Sequence, residues 1–146
     1  MEWLVADASD LALLEDGSFD MVLDKSTLDA VACTRNRKMI FMLLAEVSRV
    51  LKPGGTYLLV TLNSGLLANP SCLQNPAFGF EIEAHALDRF DAGPKNVGVF
   101  CCRKIPEADD LREKLMPEIL EWMEGLEAPE DVPEPPKVPS VEKLRE

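Results

Sequence analysis

The chain has 146 residues, 47% of them hydrophobic, enough for one ordinary domain with its own core. Its formal charge of -11 is uneven: residues 1–104 hold 13 acidic and 10 basic side chains and residues 105–146 hold 13 and 5, so the first part stands at -3 and the end at -8. That distribution argues against a basic nucleic-acid-binding stripe and suits either a cationic protein partner or no partner at all, a charge run being usually a solvated segment; without a charged-then-apolar leader or a run of about 18 apolar residues, the expected compartment is the cytosol, not a membrane.

Trp3–Ala6 is a short apolar run ending in Asp7-Ala8, and Phe19–Leu23 is a second one ending in Asp24, so both read as buried strands with an acidic exit. Glu15-Asp16-Gly17-Ser18 between them is turn chemistry. After Asp24, Ser26 or Thr27 is placed to cap a helix of about two turns, with Asp29 in its first turn near the positive helix end. A longer helix follows from about Asn36 to Leu51. Its Ile40, Leu43, Leu44, Val47, Val50 and Leu51 recur at helical spacing, Glu46 and Arg49 fall outside the stripe, and Pro53-Gly54-Gly55 stops it.

Thr56–Leu62 is β-branched and aromatic enough for a buried strand, which completes a strand–helix–strand unit and implies a parallel crossover. A loop is expected over 63–76, with a short helix through Leu66-Leu67. The runs Phe78–Leu87 and Val97–Arg103 bracket a turn at Asp88–Asn96 and read as an antiparallel pair. From Pro106 to Leu126 the pattern is helical and acidic, with Leu111, Leu115, Ile119, Trp122 and Leu126 as a packing stripe that Pro117 is expected to break or kink. Residues 128–146 hold five of the eleven prolines and little apolar surface, a composition that predicts disorder or polyproline-like extension. The organisation expected is therefore a domain over 1–104, an acidic helical extension over 105–127 and an acidic tail over 128–146.

The four cysteines, Cys33, Cys72, Cys101 and Cys102, lack the two-residue spacing of zinc sites and read as reduced thiols, so no metal is expected. The single histidine, His85, lies in a strand-like stretch and reads as structural.

Three segments in order, Val5–Ala8, Phe19–Ala30 and Leu51–Tyr57, resemble class I S-adenosylmethionine-dependent methyltransferases. The stretch Asp24-Lys25-Ser26-Thr27-Leu28-Asp29-Ala30 is similar to the DKGTLDA strand exit typical of the lysine methyltransferases that modify elongation factors, with Ser26 where the family has glycine. The resemblance covers about residues 1–104. It implies an α/β fold: a partial Rossmann-like class I methyltransferase sheet, lacking the first two strands and ending in an antiparallel strand pair, with ligands beyond the carboxyl ends of the strands. It implies S-adenosylmethionine as cofactor, with Asp7 accepting from the adenine amino group, the Ala8 amide meeting a ring nitrogen, and Asp24 facing the methionine end; the residues alone leave open that Asp7 only begins a turn or caps the next segment. Asp24 would then either orient a target amine or cap the following helix, and Lys25, Thr27 and Asp29 would shape the same entrance, unless Asp29 serves only the helix dipole.

The family's first strand, its glycine-rich loop and its second strand have no counterpart, because Met1 falls almost on the third strand. A truncated domain is therefore expected, with unpaired sheet edges open to association and little activity unaided. For the complete domain the resemblance implies methyl transfer to a protein lysine, on a basic surface such as a translation factor presents. The alternative is a non-catalytic interaction module.

Overall fold

The computed structural model describes residues 3–62, 73–87 and 97–124. The expected helix at Leu66-Leu67, the turn at Asp88–Asn96, the tail and most of the 63–76 loop lie outside them.

Four strands form one sheet. β1 (Phe19–Lys25) pairs in parallel with β2 (Leu51–Thr61), β2 pairs antiparallel with β4 (Val97–Lys104), and β4 pairs antiparallel with β3 (Phe80–Leu87), giving the order β1-β2-β4-β3. The parallel pair is joined by two helices, α1 (Thr27–Cys33) and α2 (Arg37–Val50), and a third, α3 (Ala108–Glu124), follows β4. The strand–helix–strand unit and the closing antiparallel pair expected from the sequence are both present.

The apolar stripe of α2 packs on the sheet as its periodicity requires: Phe41, Leu43, Leu44 and Val47 are buried with Tyr57 and Leu59 of β2 and Phe100 and Cys102 of β4. Each such side chain contributes about 1.5–3 kcal/mol by leaving water. Asn36 caps α2, its side chain accepting from the Met39 amide at 3.1 Å. β2 starts five residues before the expected Thr56, since Leu51 already pairs with Phe19, and the register slips before the regular ladder from Thr56 onward.

α3 runs unbroken through Pro117. Leu115, Met116 and Ile119, on either side of the proline, pack against the core cluster, and that packing holds the helix together across the missing N–H. Its docking point is a short 3-10 helix, Pro76–Phe78, ended by Gly79 at φ 59°. A Cβ on Gly79 would sit 2.3 Å from the Ala108 Cβ, so only glycine admits this close approach. Lys104, fully buried, adds a polar tie: its Nζ donates to the Leu51 carbonyl and to Asp109, each at 2.8 Å.

Two expectations need correction. Trp3–Ala6 forms no strand; Trp3 and Val5 are 87% and 101% exposed, because no described strand lies alongside to pair their backbone. β1 does form where expected, yet it is an edge strand with Phe19, Met21 and Leu23 exposed, not buried, since the described helices pack on the other side of the sheet.

Candidate active site

In an open parallel sheet the ligand crevice lies beyond the carboxyl ends of the strands. Here those ends are Asp24-Lys25 of β1 and Val60-Thr61 of β2, which lie side by side in the parallel register. The turn from β1 into α1 caps them.

Asp24 is buried and its carboxylate is committed to the fold. Oδ1 accepts from the Thr27 amide at 2.7 Å, and Oδ2 accepts from the Leu28 amide at 3.1 Å and from the Tyr57 hydroxyl at 2.9 Å. It is thus the capping group of α1, serving two of the amides that a helix start leaves without partners. The expected caps do not act: Ser26 makes no side-chain capping bond. Instead its backbone takes the left-handed conformation, φ 69° and ψ 5°, its amide donates to the Val60 carbonyl at 3.1 Å, and its carbonyl accepts from the Ala30 amide at 3.1 Å. That conformation is the physical reason for glycine at this position in the DKGTLDA pattern; a serine there carries a steric cost of about 1–2 kcal/mol.

Asp29, expected to shape the entrance or to serve the helix dipole, joins α1 to the end of β2. It accepts from the Thr61 hydroxyl and from the Leu62 amide at 3.1 Å. Asp24 and Asp29 therefore bracket the Lys25-Ser26-Thr27 turn, and the Lys25 and Thr27 side chains are left exposed on it. Tyr57 and Thr61 were not singled out by sequence reasoning. The signal for Tyr57 was available, since a tyrosine on the inward face of a strand must find its hydroxyl a partner.

Asp7 and Ala8 belong to a separate piece of structure. Asp7 Oδ1 accepts from the Ser9 amide at 2.8 Å and the Ser9 hydroxyl at 2.7 Å. The Ser9 hydroxyl first and its amide second hold the exposed Asp7 carboxyl below the usual carboxylate range, so it is an anion at neutral pH. Ala8 packs against the core cluster. The following loop is clamped to α2 by Arg49, which donates to the Leu11 and Leu14 carbonyls, each at 2.8 Å, and pairs with Glu46 and Asp16. Glu46 in turn accepts from the Leu11 amide at 2.7 Å. The Arg49 hydrogen bonds push both carboxyls down, and their two charges raise the guanidinium's own pKa.

The donor set fits S-adenosylmethionine at one end only. The exposed, ionised Asp7 suits an exocyclic amine. Asp24 does not suit direct contact with a ligand, its oxygens being taken by Thr27, Leu28 and Tyr57. Among the described residues there is no group of three or more histidine, cysteine or acidic side chains placed to hold a metal. Cys33, Cys101 and Cys102 are free thiols, and burial pushes Cys102 up to about 12, which leaves it protonated and inert. His85 is exposed on β3, its Nε2 3.1 Å from Glu83. No described helix is long and apolar enough to cross a membrane.

A family profile described as "Methyltransferase domain" matches residues 1–59. The zebrafish (Danio rerio) "eEF1A lysine and N-terminal methyltransferase" is 50% identical over 48 residues, 33% of this chain and 7% of that protein. The human mitochondrial "Citrate synthase-lysine N-methyltransferase CSKMT" is 34% identical over 91 residues, 62% of this chain and 37% of that protein. The chain thus spans well under half the length of these curated relatives. Among solved structures, a SAM-dependent methyltransferase from Methanosarcina mazei superposes with a TM-score of 0.54 at 22% identity, covering 71% of this chain and 67% of that one; it shows the shared fold. The resemblance to class I methyltransferases, and within them to the group that modifies elongation-factor lysines, holds.

Proposed function

From that kinship as premise, we propose that the chain is part of an S-adenosylmethionine-dependent methyltransferase whose acceptor is a protein lysine. The observation that carries the reading is the Asp24–Ala30 exit, held at the carboxyl ends of two parallel strands, in a chain that is in part similar to proteins named as lysine methyltransferases. When bound, the cofactor supplies an electrophilic methyl on a sulfonium. The protein's task is then to position an uncharged amine and exclude water.

In this reading Asp24 and Asp29 are positioning residues. They fix the Lys25–Thr27 turn, and Lys25 and Thr27 present their side chains at the entrance where the amine arrives. Asp7 is the acceptor for the cofactor's amino group, with Ala8 beside it. An acidic chain favours a basic protein surface as substrate.

The fit at one end only, with Trp3–Ala6 uncovered, supports a further expectation: the 146-residue chain unaided transfers methyl groups poorly or not at all. The β1 edge, without a neighbouring strand among the described residues, favours a second reading for this polypeptide alone, a non-catalytic interaction module. Isothermal titration of the chain with S-adenosylmethionine, with circular dichroism to establish folding, separates the two. Saturable binding that Asp7→Ala weakens roughly tenfold supports the enzyme reading and warrants a lysine-methylation assay. A folded chain that binds none supports the module.

A further inference from the structure

α2 ends at the amino end of the parallel strands: Val50 leads straight into Leu51, which pairs with Phe19, and the Arg49 carbonyl accepts from the Gly17 amide just ahead of β1. Its 14 residues rise about 20 Å, close to the length of β1, so its first turn stands level with the carboxyl ends of the strands, on the side of the Lys25–Thr27 turn. That first turn and the link before it hold Arg35, Arg37 and Lys38. Arg35 and Lys38 are exposed and Arg37 is half-buried; together with the exposed Lys25 they gather cations on this side of a chain whose net charge is -11.

The fold gains nothing from them there. Among the described residues Lys25, Arg35, Arg37 and Lys38 make no ion pair, whereas Arg49, Lys52, Lys104 and Arg112 all face carboxylates. Arg35 takes the left-handed conformation at φ 57°, which costs an arginine and not a glycine. Arg37 and Lys38 lie at the positive end of α2, whose first turn holds no acid, while Asp29 and Asp109 stand in the first turns of α1 and α3. Local preferences broken side by side, with no compensating contact inside the fold, point to a partner outside it.

Side chains of this kind suit carboxylates. Lys25 and Arg35 are separated by the two turns of α1, about 10 Å, a span that three or four extended residues cover. A nucleic acid would bring many phosphates past a strongly acidic chain. A short acidic segment meets the rim alone, because the remaining charge is screened beyond about 8 Å.

We propose that Arg35, Arg37 and Lys38, with Lys25, form a basic rim that holds acidic residues of a protein substrate within about four positions of its acceptor lysine. The acceptor in this statement rests on the lysine-methyltransferase reading; the rim needs no cofactor to act. A substrate surface that is basic as a whole fits it when carboxylates flank the lysine.

Fluorescence anisotropy of the full 146-residue chain with three labelled peptides tests the rim: a lysine flanked by aspartates and glutamates, the same peptide with asparagines and glutamines, and a lysine flanked by arginines. The acidic peptide should bind about tenfold more tightly than either of the others at low salt, and most of that margin should vanish near about 0.5 M salt. Arg37→Glu combined with Lys38→Glu should abolish the margin. Arg35→Gly should weaken the acidic peptide roughly threefold while raising the thermal midpoint, which separates a lost contact from a damaged fold. Equal affinity of a folded chain for acidic and neutral peptides, a margin that survives the double reversal, or tighter capture of a single-stranded oligonucleotide of equal charge overturns the proposal. The cofactor titration judges the methyltransferase reading separately: a chain that binds S-adenosylmethionine and ignores peptide charge loses the rim alone, and one that shows the charge preference without binding cofactor keeps the rim and loses that reading.

Discussion

On the helix side of the sheet Tyr57, Leu59 and Cys102 are sealed from water and Phe100 nearly so, while on the opposite side Met21 and Leu23 stand more than half exposed. β1 contributes to both: Asp24 points into the covered side and its neighbours Leu23 and Lys25 point out. The contrast teaches that apolar content does not measure burial. A leucine facing α1 and α2 and a leucine facing away from them are equal in hydropathy and differ in what the fold places over them.

The sharpest way to break this comparison is a pair of truncations, one on each side. Leu44→Ala, at a site fully excluded from water, should cost about 2–5 kcal/mol in chemical unfolding, and Leu23→Ala less than about 0.5 kcal/mol in dilute monomer. Equal costs would show that the outer face is covered in solution. Next in size is Asp24→Asn, which replaces one accepting oxygen of a carboxylate serving two amides and a hydroxyl; a loss of about 1–3 kcal/mol is expected. Urea midpoints that hardly move would remove Asp24 from the capping role.

A gain is expected from Ser26→Gly, because the left-handed backbone at φ 69° costs nothing to glycine. Stabilisation of about 1 kcal/mol, read from the thermal midpoint, would place the strain at that turn. The smallest effect concerns acid. Asp16 and Glu46 have carboxyls held below their ordinary values of 3.8 and 4.5 by Arg49. Lowered folded-state values mean that this stability is complete above the ordinary values and is lost as pH falls through the lowered ones. Arg49→Met should therefore flatten the decline of the thermal midpoint between about pH 5 and pH 2. An unchanged decline would assign the acid sensitivity to other carboxyls.

Much of this was legible in the chain itself. The 3.6-residue stripe of α2, the strand at Phe19 and the antiparallel pair near the end all follow from local spacing, because a helix or strand repeats its own geometry in sequence. The Asp24–Ala30 stretch marked the candidate site through its resemblance to the DKGTLDA strand exit. Its inner workings were not legible. Asp24 meets Tyr57 across 33 residues and Asp29 meets Thr61 across 32, distances in sequence over which periodicity carries no information.

By itself the sequence determined where β1, α1, α2 and the closing antiparallel pair form and which segment is the candidate site, since the elements rest on backbone propensity and on alternation within a few residues. Only the tertiary structure decided that Asp24 spends its carboxylate on a helix start, that Pro117 is tolerated inside α3, and that Trp3–Ala6 stays uncovered. Each of those outcomes depends on which distant group arrives, or fails to arrive, to satisfy a hydrogen bond or exclude water.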